Sequence, residues 1–122
     1  MSWELVSDRP IYIQLVDEIK LRIITHYYKP GERLPAVREL AAEAEVNPNT
    51  MQRALAELET SELIITQRTS GRSVTDDLDV INNHKHSIAY DVTTKFLSKM
   101  ETLGFNIDDT IKFITKEIDV NE

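Results

Sequence analysis

Asn47, Asn49, Thr50 and Arg53 fall close together in the chain and offer amide, hydroxyl and guanidinium groups to a hydrogen-bonding partner. On a helix turning about 100° per residue, Asn49, Arg53 and Thr60 share one side with Ala56 between them, and Met51, Leu55 and Leu58 cluster almost opposite. An amide suits the adenine edge and a guanidinium the guanine edge in the major groove of a duplex, and a small residue permits close approach. Asn47 and Thr50 stand at the start of that helix, where backbone donors and the helix dipole attract phosphate. Further on, Arg68, Gly71 and Arg72 surround a turn, and a glycine between basic residues lets a backbone enter a narrow minor groove while arginines meet phosphates. Singly each residue has a plainer role, since an outward Asn or Arg is usually just solvated and Asn47 is first of all a cap. The combination is more specific than its parts, because a helix, a tight turn, a capped helix and a hairpin occur together at the required lengths.

The elements that must position these groups are legible from periodicity. Pro10 opens a helix to about His26, with Tyr12, Leu15, Ile19 and Ile23 as one apolar stripe, and Tyr27-Tyr28-Lys29-Pro30-Gly31 ends it. Glu32-Arg33-Leu34-Pro35 is long enough only for a brief strand. A short helix over about 36–44 carries Val37, Leu40, Ala41 and Ala44 on one face. Asn47-Pro48 then starts a third helix to about Ser61, with the asparagine as cap and the proline where its missing donor costs nothing. Leu63–Gln67 and Arg72–Thr75 read as two strands around a turn at Thr69-Ser70-Gly71. Helix, tight turn, capped helix and hairpin in that order make a winged helix-turn-helix.

After Asp76-Asp77, a linker, the pattern changes to a tail. Ile81, Ile88, Val92, Phe96, Met100 and Leu103 recur at helical spacing up to Gly104. Asn106 can cap a last helix with Ile107, Ile111, Ile114 and Ile118 on its apolar face, and Asp108 and Asp109 in its favourable first turn. Two such helices bury their stripes against each other and what remains against something else, for which a second copy of the chain is the simplest candidate. The fold expected is therefore mainly α with a small β-hairpin: an N-terminal winged helix-turn-helix over residues 1–75, then a two-helix C-terminal dimerisation tail over 76–122.

Bulk properties agree. The net charge of −7 looks wrong for a duplex binder, but residues 1–75 hold nine basic and eleven acidic side chains while 76–122 hold five and ten. All seven arginines lie in the first part, so the acidity belongs mainly to a tail that need not touch a polyanion. The chain has no cysteine, which removes thiolate zinc sites and thiol nucleophiles and suits a reducing cytoplasm. It has no run of roughly 18 apolar residues for a membrane span, and its acidic start is not a secretory signal. No Gly-rich phosphate loop and no pairing of His with a nucleophile argues for an enzyme or a cofactor. His84 and His86, two residues apart, do not share a helical face and have no third ligand nearby, so no metal is expected. The competing class is a protein–protein interaction module that docks a partner through a winged-helix scaffold and an acidic tail.

Three stretches strongly resemble the GntR family of bacterial regulators: Pro10-Ile-Tyr-Ile-Gln-Leu, Lys29-Pro-Gly-Glu-Arg-Leu-Pro-Ala-Val-Arg-Glu-Leu-Ala, and Val46-Asn-Pro-Asn-Thr-Met-Gln-Arg-Ala-Leu. The resemblance covers about residues 10–75, and the short two-helix tail is similar to that of the YtrA-like subfamily. It implies a cytoplasmic homodimer that binds operator DNA at an inverted repeat and represses its own or a neighbouring operon, often one encoding an ABC transporter. A pocket between protomers could take a small-molecule effector, which no polar cluster identifies. By position the resemblance implies DNA contacts at Arg38, Asn47, Asn49, Thr50, Arg53 and Gly71, with Arg9 to Tyr12 near the phosphate backbone. The chain departs from the family pattern in four places. Ala36 stands where a serine usually caps the second helix, Glu62 and Thr69 replace glycines, and Ser73 replaces an aromatic residue.

Overall fold

The computed structural model describes residues 1–118. Its elements are α1 (Ile11–Ile24), α2 (Val37–Ala44), α3 (Pro48–Thr60), β1 (Ile64–Gln67), β2 (Gly71–Val74), α4 (Leu78–Thr102) and α5 (Ile107–Glu117). This is the mainly helical architecture with one hairpin that periodicity predicts. No helix among the described residues is long and apolar enough to cross a membrane. The chain forms two compact units, Met1–His84 and a second from Lys85 onward.

In the first unit, α1 gives Leu15, Ile19 and Ile23 to the core, α2 gives Leu40, Ala41 and Ala44, and α3 gives Met51, Ala54, Leu55 and Leu58. The hairpin closes one side with Leu63, Ile64 and Val74. Its strands are antiparallel, with Ile64 opposite Val74 and Gln67 opposite Gly71. The brief strand expected around Glu32–Leu34 is a single bridge, Arg33 to Ser73, flanked by Leu34 N–H donating to Arg72 O and Val74 N–H donating to Glu32 O. It adds a third rung to the wing.

The N-terminal segment lies over α1. Gln14 clips it in both directions: Val6 N–H donates to Oε1 at 2.7 Å, and Nε2 donates to the Val6 and Arg9 carbonyls at 2.7 and 2.9 Å. Arg22 is fully buried, donating to Glu18, to the Tyr28 hydroxyl and to the Met1 carbonyl while its guanidinium lies 4.0 Å from the Trp3 ring centroid. Burial alone would lower its pKa, but the hydrogen bonds and charges of Glu18 and Tyr28 outweigh this and raise it. The guanidinium is thus a structural staple.

Two expectations shift. Ile81, placed with the tail stripe by its spacing, is buried in the core of the first unit, which removes it from any surface a partner could touch. The compact unit correspondingly runs to His84, past the expected boundary at residue 75, because the first turn of α4 contributes to that core. Asp77 is more than linker: its Oδ1 accepts from the N–H groups of Asp79 and Val80 and caps α4. His84 Nε2 lies 3.1 Å from the Ser61 carbonyl.

In the second unit Asn106 and Asp109 form a reciprocal capping box at the start of α5, and Thr110 is buried. Phe105 and Phe113 meet edge to face at 5.6 Å. Met100 and Ile114 are half-buried, whereas Ile88, Val92, Phe96, Leu103, Ile107, Ile111 and Ile118 remain exposed.

The end of α3 shows what one departure from the pattern it resembles costs. Glu62 has φ +69°, with its N–H on the Glu59 carbonyl and the Leu63 N–H on that of Leu58, the Schellman arrangement that favours glycine. A left-handed L-residue costs about 1–2 kcal/mol, and the greater unfolded-state freedom of glycine offsets about 0.5–1 kcal/mol of that. Glu62→Gly should therefore stabilise the chain by roughly 0.5–1 kcal/mol in urea unfolding; a lowered midpoint would contradict the strain at this position.

Candidate nucleic-acid interface

The third helix begins as its sequence demands. Asn47 is its N-cap, accepting from the Asn49 N–H through Oδ1 at 2.8 Å, and Pro48 takes the first helical position. α2 and α3 are separated by three residues, Glu45 to Asn47, with Glu45 in the left-handed region at φ +57°. Met51, Ala54, Leu55 and Leu58 bury one face of α3, leaving Asn49, Gln52, Arg53, Ala56 and Thr60 exposed on the other. Capping consumes the Asn47 amide oxygen and leaves its NH2 to donate. Thr60 bonds back to the Ala56 carbonyl and is not a free donor.

Of the other predicted residues, Arg9, Arg38 and Arg68 are exposed and make no ion pair among the described residues, while Thr50 and Tyr12 are half-buried. The structure brings Tyr12 and Arg53 together, the guanidinium lying 3.6 Å from the ring centroid. Gly71 has φ +77° and turns the wing, whose tip is tied by Ser70 Oγ donating to Gln67. Arg72 is drawn elsewhere: its Nε donates to Glu59 Oε1 at 2.6 Å, so its charge is already partnered. This pair fastens β2 to the last turn of α3.

Two residues escaped the sequence reading. Gln52 lies about 60° from Asn49 around the helix, and its exposure and amide qualify it as a reader of adenine; its angle was legible. Arg33 is exposed, with Nη2 3.9 Å from where a side chain at Gly71 would begin, so it extends the basic edge of the wing. Nothing local in the sequence brings residues 33 and 71 together. Among the described residues no group of three His, Asp or Glu is arranged to hold a metal ion.

A capped helix with a polar outer face, reached by a three-residue turn and followed by a hairpin, defines a winged helix-turn-helix protein. Comparison with known proteins places it further. Residues 11–74 match the bacterial regulatory proteins of the gntR family. The uncharacterized HTH-type transcriptional regulator YhcF of Bacillus subtilis (strain 168) is 32% identical over 93% of this chain and 94% of its own length. The HTH-type transcriptional repressor YtrA of the same organism is 39% identical over 58% of this chain and 55% of its own. Among solved structures, a GntR family transcriptional regulator from Listeria monocytogenes superposes with a TM-score of 0.85 at 42% identity, covering 92% of this chain and 98% of that one. AraR(DBD), solved in complex with operator ORE1, covers 62% of this chain and 94% of its own at 25% identity and a TM-score of 0.53. The chain belongs to the gntR family of bacterial regulatory proteins. It is a DNA-binding transcriptional regulator.

Burial would raise the Glu59 carboxyl, but hydrogen bonds from Arg72 and Thr66 and the Arg72 charge hold it below its ordinary 4.5. A depressed folded-state value adds stability above 4.5 that disappears as pH falls through the lower value. Glu59→Gln should therefore be less stable than the parent chain at neutral pH, the gap closing in acid below pH 4.5. A gap in urea midpoint that does not change with pH would show that the wing is not fastened by this charge.

Proposed function

We propose that this chain is a YtrA-like repressor that binds an inverted-repeat operator as a homodimer and controls its own or a neighbouring operon, an ABC transporter operon being one the family resemblance suggests. The observation that carries the reading is the outer face of α3: Asn49, Gln52 and Arg53 are exposed opposite a fully buried face. In the complex α3 lies in the major groove. Asn49 and Arg53 meet base edges or phosphates, Asn47 and Thr50 meet phosphate at the helix start, and Arg9 and Arg38 lie along the backbone. The wing contributes Arg68 and the Gly71 turn, with Arg72 serving first to hold the wing in place. That YtrA is a repressor, and that AraR(DBD) was solved on an operator, supports the same use of the shared scaffold.

The tail supports the homodimer. Phe96, Leu103, Ile107 and Ile111 are exposed together with Ile88 and Val92, more apolar side chains than a lone two-helix unit normally leaves in water. Covering them with a second copy presents two α3 helices to half-sites about one helical turn, or a multiple, apart.

Arg53→Ala should weaken binding to the segment upstream of its own gene by about 1–3 kcal/mol without loss of helix content, measured by equilibrium shift assay at fixed salt. Unchanged binding would remove Arg53 from the interface, and the absence of salt-sensitive affinity of the parent chain for any duplex would favour a protein-docking role. In the full chain, Phe96→Asp with Ile111→Asp should sediment as a monomer with its circular dichroism retained. A persistent dimer would show that the tail is not the dimer interface.

A further inference from the structure

We propose that Tyr12 is a positioning residue for Arg53: its ring holds the guanidinium in the orientation that meets a base edge. The inference rests on the reading of α3 given above. Arg53 is exposed, and among the described residues no ion pair holds this long, rotamer-rich side chain. Against it lies the Tyr12 ring, whose centroid is 3.6 Å from the guanidinium carbon. A ring face this close covers one side of the guanidinium and leaves N–H donors on its outer edge free, as a bidentate contact to a guanine edge requires.

Tyr12 is itself held. It is the second residue of α1, whose start is set by Pro10 at the cap and by the Gln14 clip to Val6 and Arg9. α1 packs on α3 more extensively than any other helix does. The N-terminal segment, the clip, the ring and the guanidinium thus form one continuous support between the front of α1 and the outer face of α3.

The alternative role for Tyr12 is a direct hydroxyl contact to a phosphate, and two variants separate the roles. Operator and nonspecific duplex affinities are measured at one salt concentration for Tyr12→Phe, Tyr12→Leu, Arg53→Ala and the double variant Tyr12→Leu/Arg53→Ala. Tyr12→Phe should bind operator within about twofold of the parent chain, because a phenyl face serves the stack as well. Tyr12→Leu should lose roughly 3- to 10-fold on operator with little change on nonspecific duplex, and no further loss should appear on top of Arg53→Ala. Equal losses in the Phe and Leu variants would assign the effect to the hydroxyl and overturn the proposal. So would additive losses in the double variant, or a Leu variant that weakens both duplexes equally, as a merely structural role would. If Arg53→Ala itself binds normally, the reading of Arg53 fails, and the proposal with it. Normal binding by Tyr12→Leu beside a weak Arg53→Ala overturns the proposal alone.

Discussion

Everything presented outward by α3 follows from how α3 is locked inward. Met51, Leu55 and Leu58 recur every three or four residues, and with Ala54 they form a stripe that joins one core with Leu15, Ile19 and Ile23 of α1 and Leu40, Ala41 and Ala44 of α2. A helix anchored along one face can still rotate slightly or fray, so its ends matter. Asn47 caps the beginning through its side chain. At the other end the Schellman bonds of Glu62 and Leu63 stop the helix after Thr60, even though a glutamate must take a left-handed backbone to do so. With rotation and both ends set, Asn49, Gln52 and Arg53 have a defined direction.

The elements were legible because each obeys a local rule. Caps at Asn47 and Asn106, the turn at Gly104 and the apolar spacing in α1, α3 and α5 are short-range signals, and the helices form where those signals place them. What remained hidden joins residues far apart in the chain. The Tyr12–Arg53 stack spans the first and third helices, and the Arg72–Glu59 pair spans wing and helix. Arg72 looks free as a letter between Gly71 and Ser73, but its guanidinium is spent on a carboxylate thirteen residues earlier. Ile81 shows the limit of periodicity itself: its spacing from Ile88 fits the tail stripe, but a stripe does not say which part of a long helix lies against which core. Gln52, about 60° from Asn49 around the helix, is placed on the outer face by local spacing alone.

The division of arginine acquires a physical meaning in this arrangement. The arginines available for a polyanion, Arg9, Arg33, Arg38, Arg53 and Arg68, all lie in the first unit, while Arg22 and Arg72 are committed to the protein's own hydrogen bonds. Net charge does not separate the units: up to His84 the sequence carries nine basic and fourteen acidic side chains, and from Lys85 onward five and seven, so it is the distribution of arginine and not the sum of charge that suits the first unit to DNA.

The central claim is that the outer face of α3 enters the major groove, twice, in a symmetric complex. Methylation interference on a bound operator duplex tests it most directly, because a methyl group on guanine N7 projects into the major groove and one on adenine N3 into the minor. The account predicts guanine interference in two symmetric patches about one helical turn, or a multiple, apart, the patches shrinking when Arg53 is replaced by alanine. Interference confined to adenine N3, or to a single unpaired patch, would contradict it.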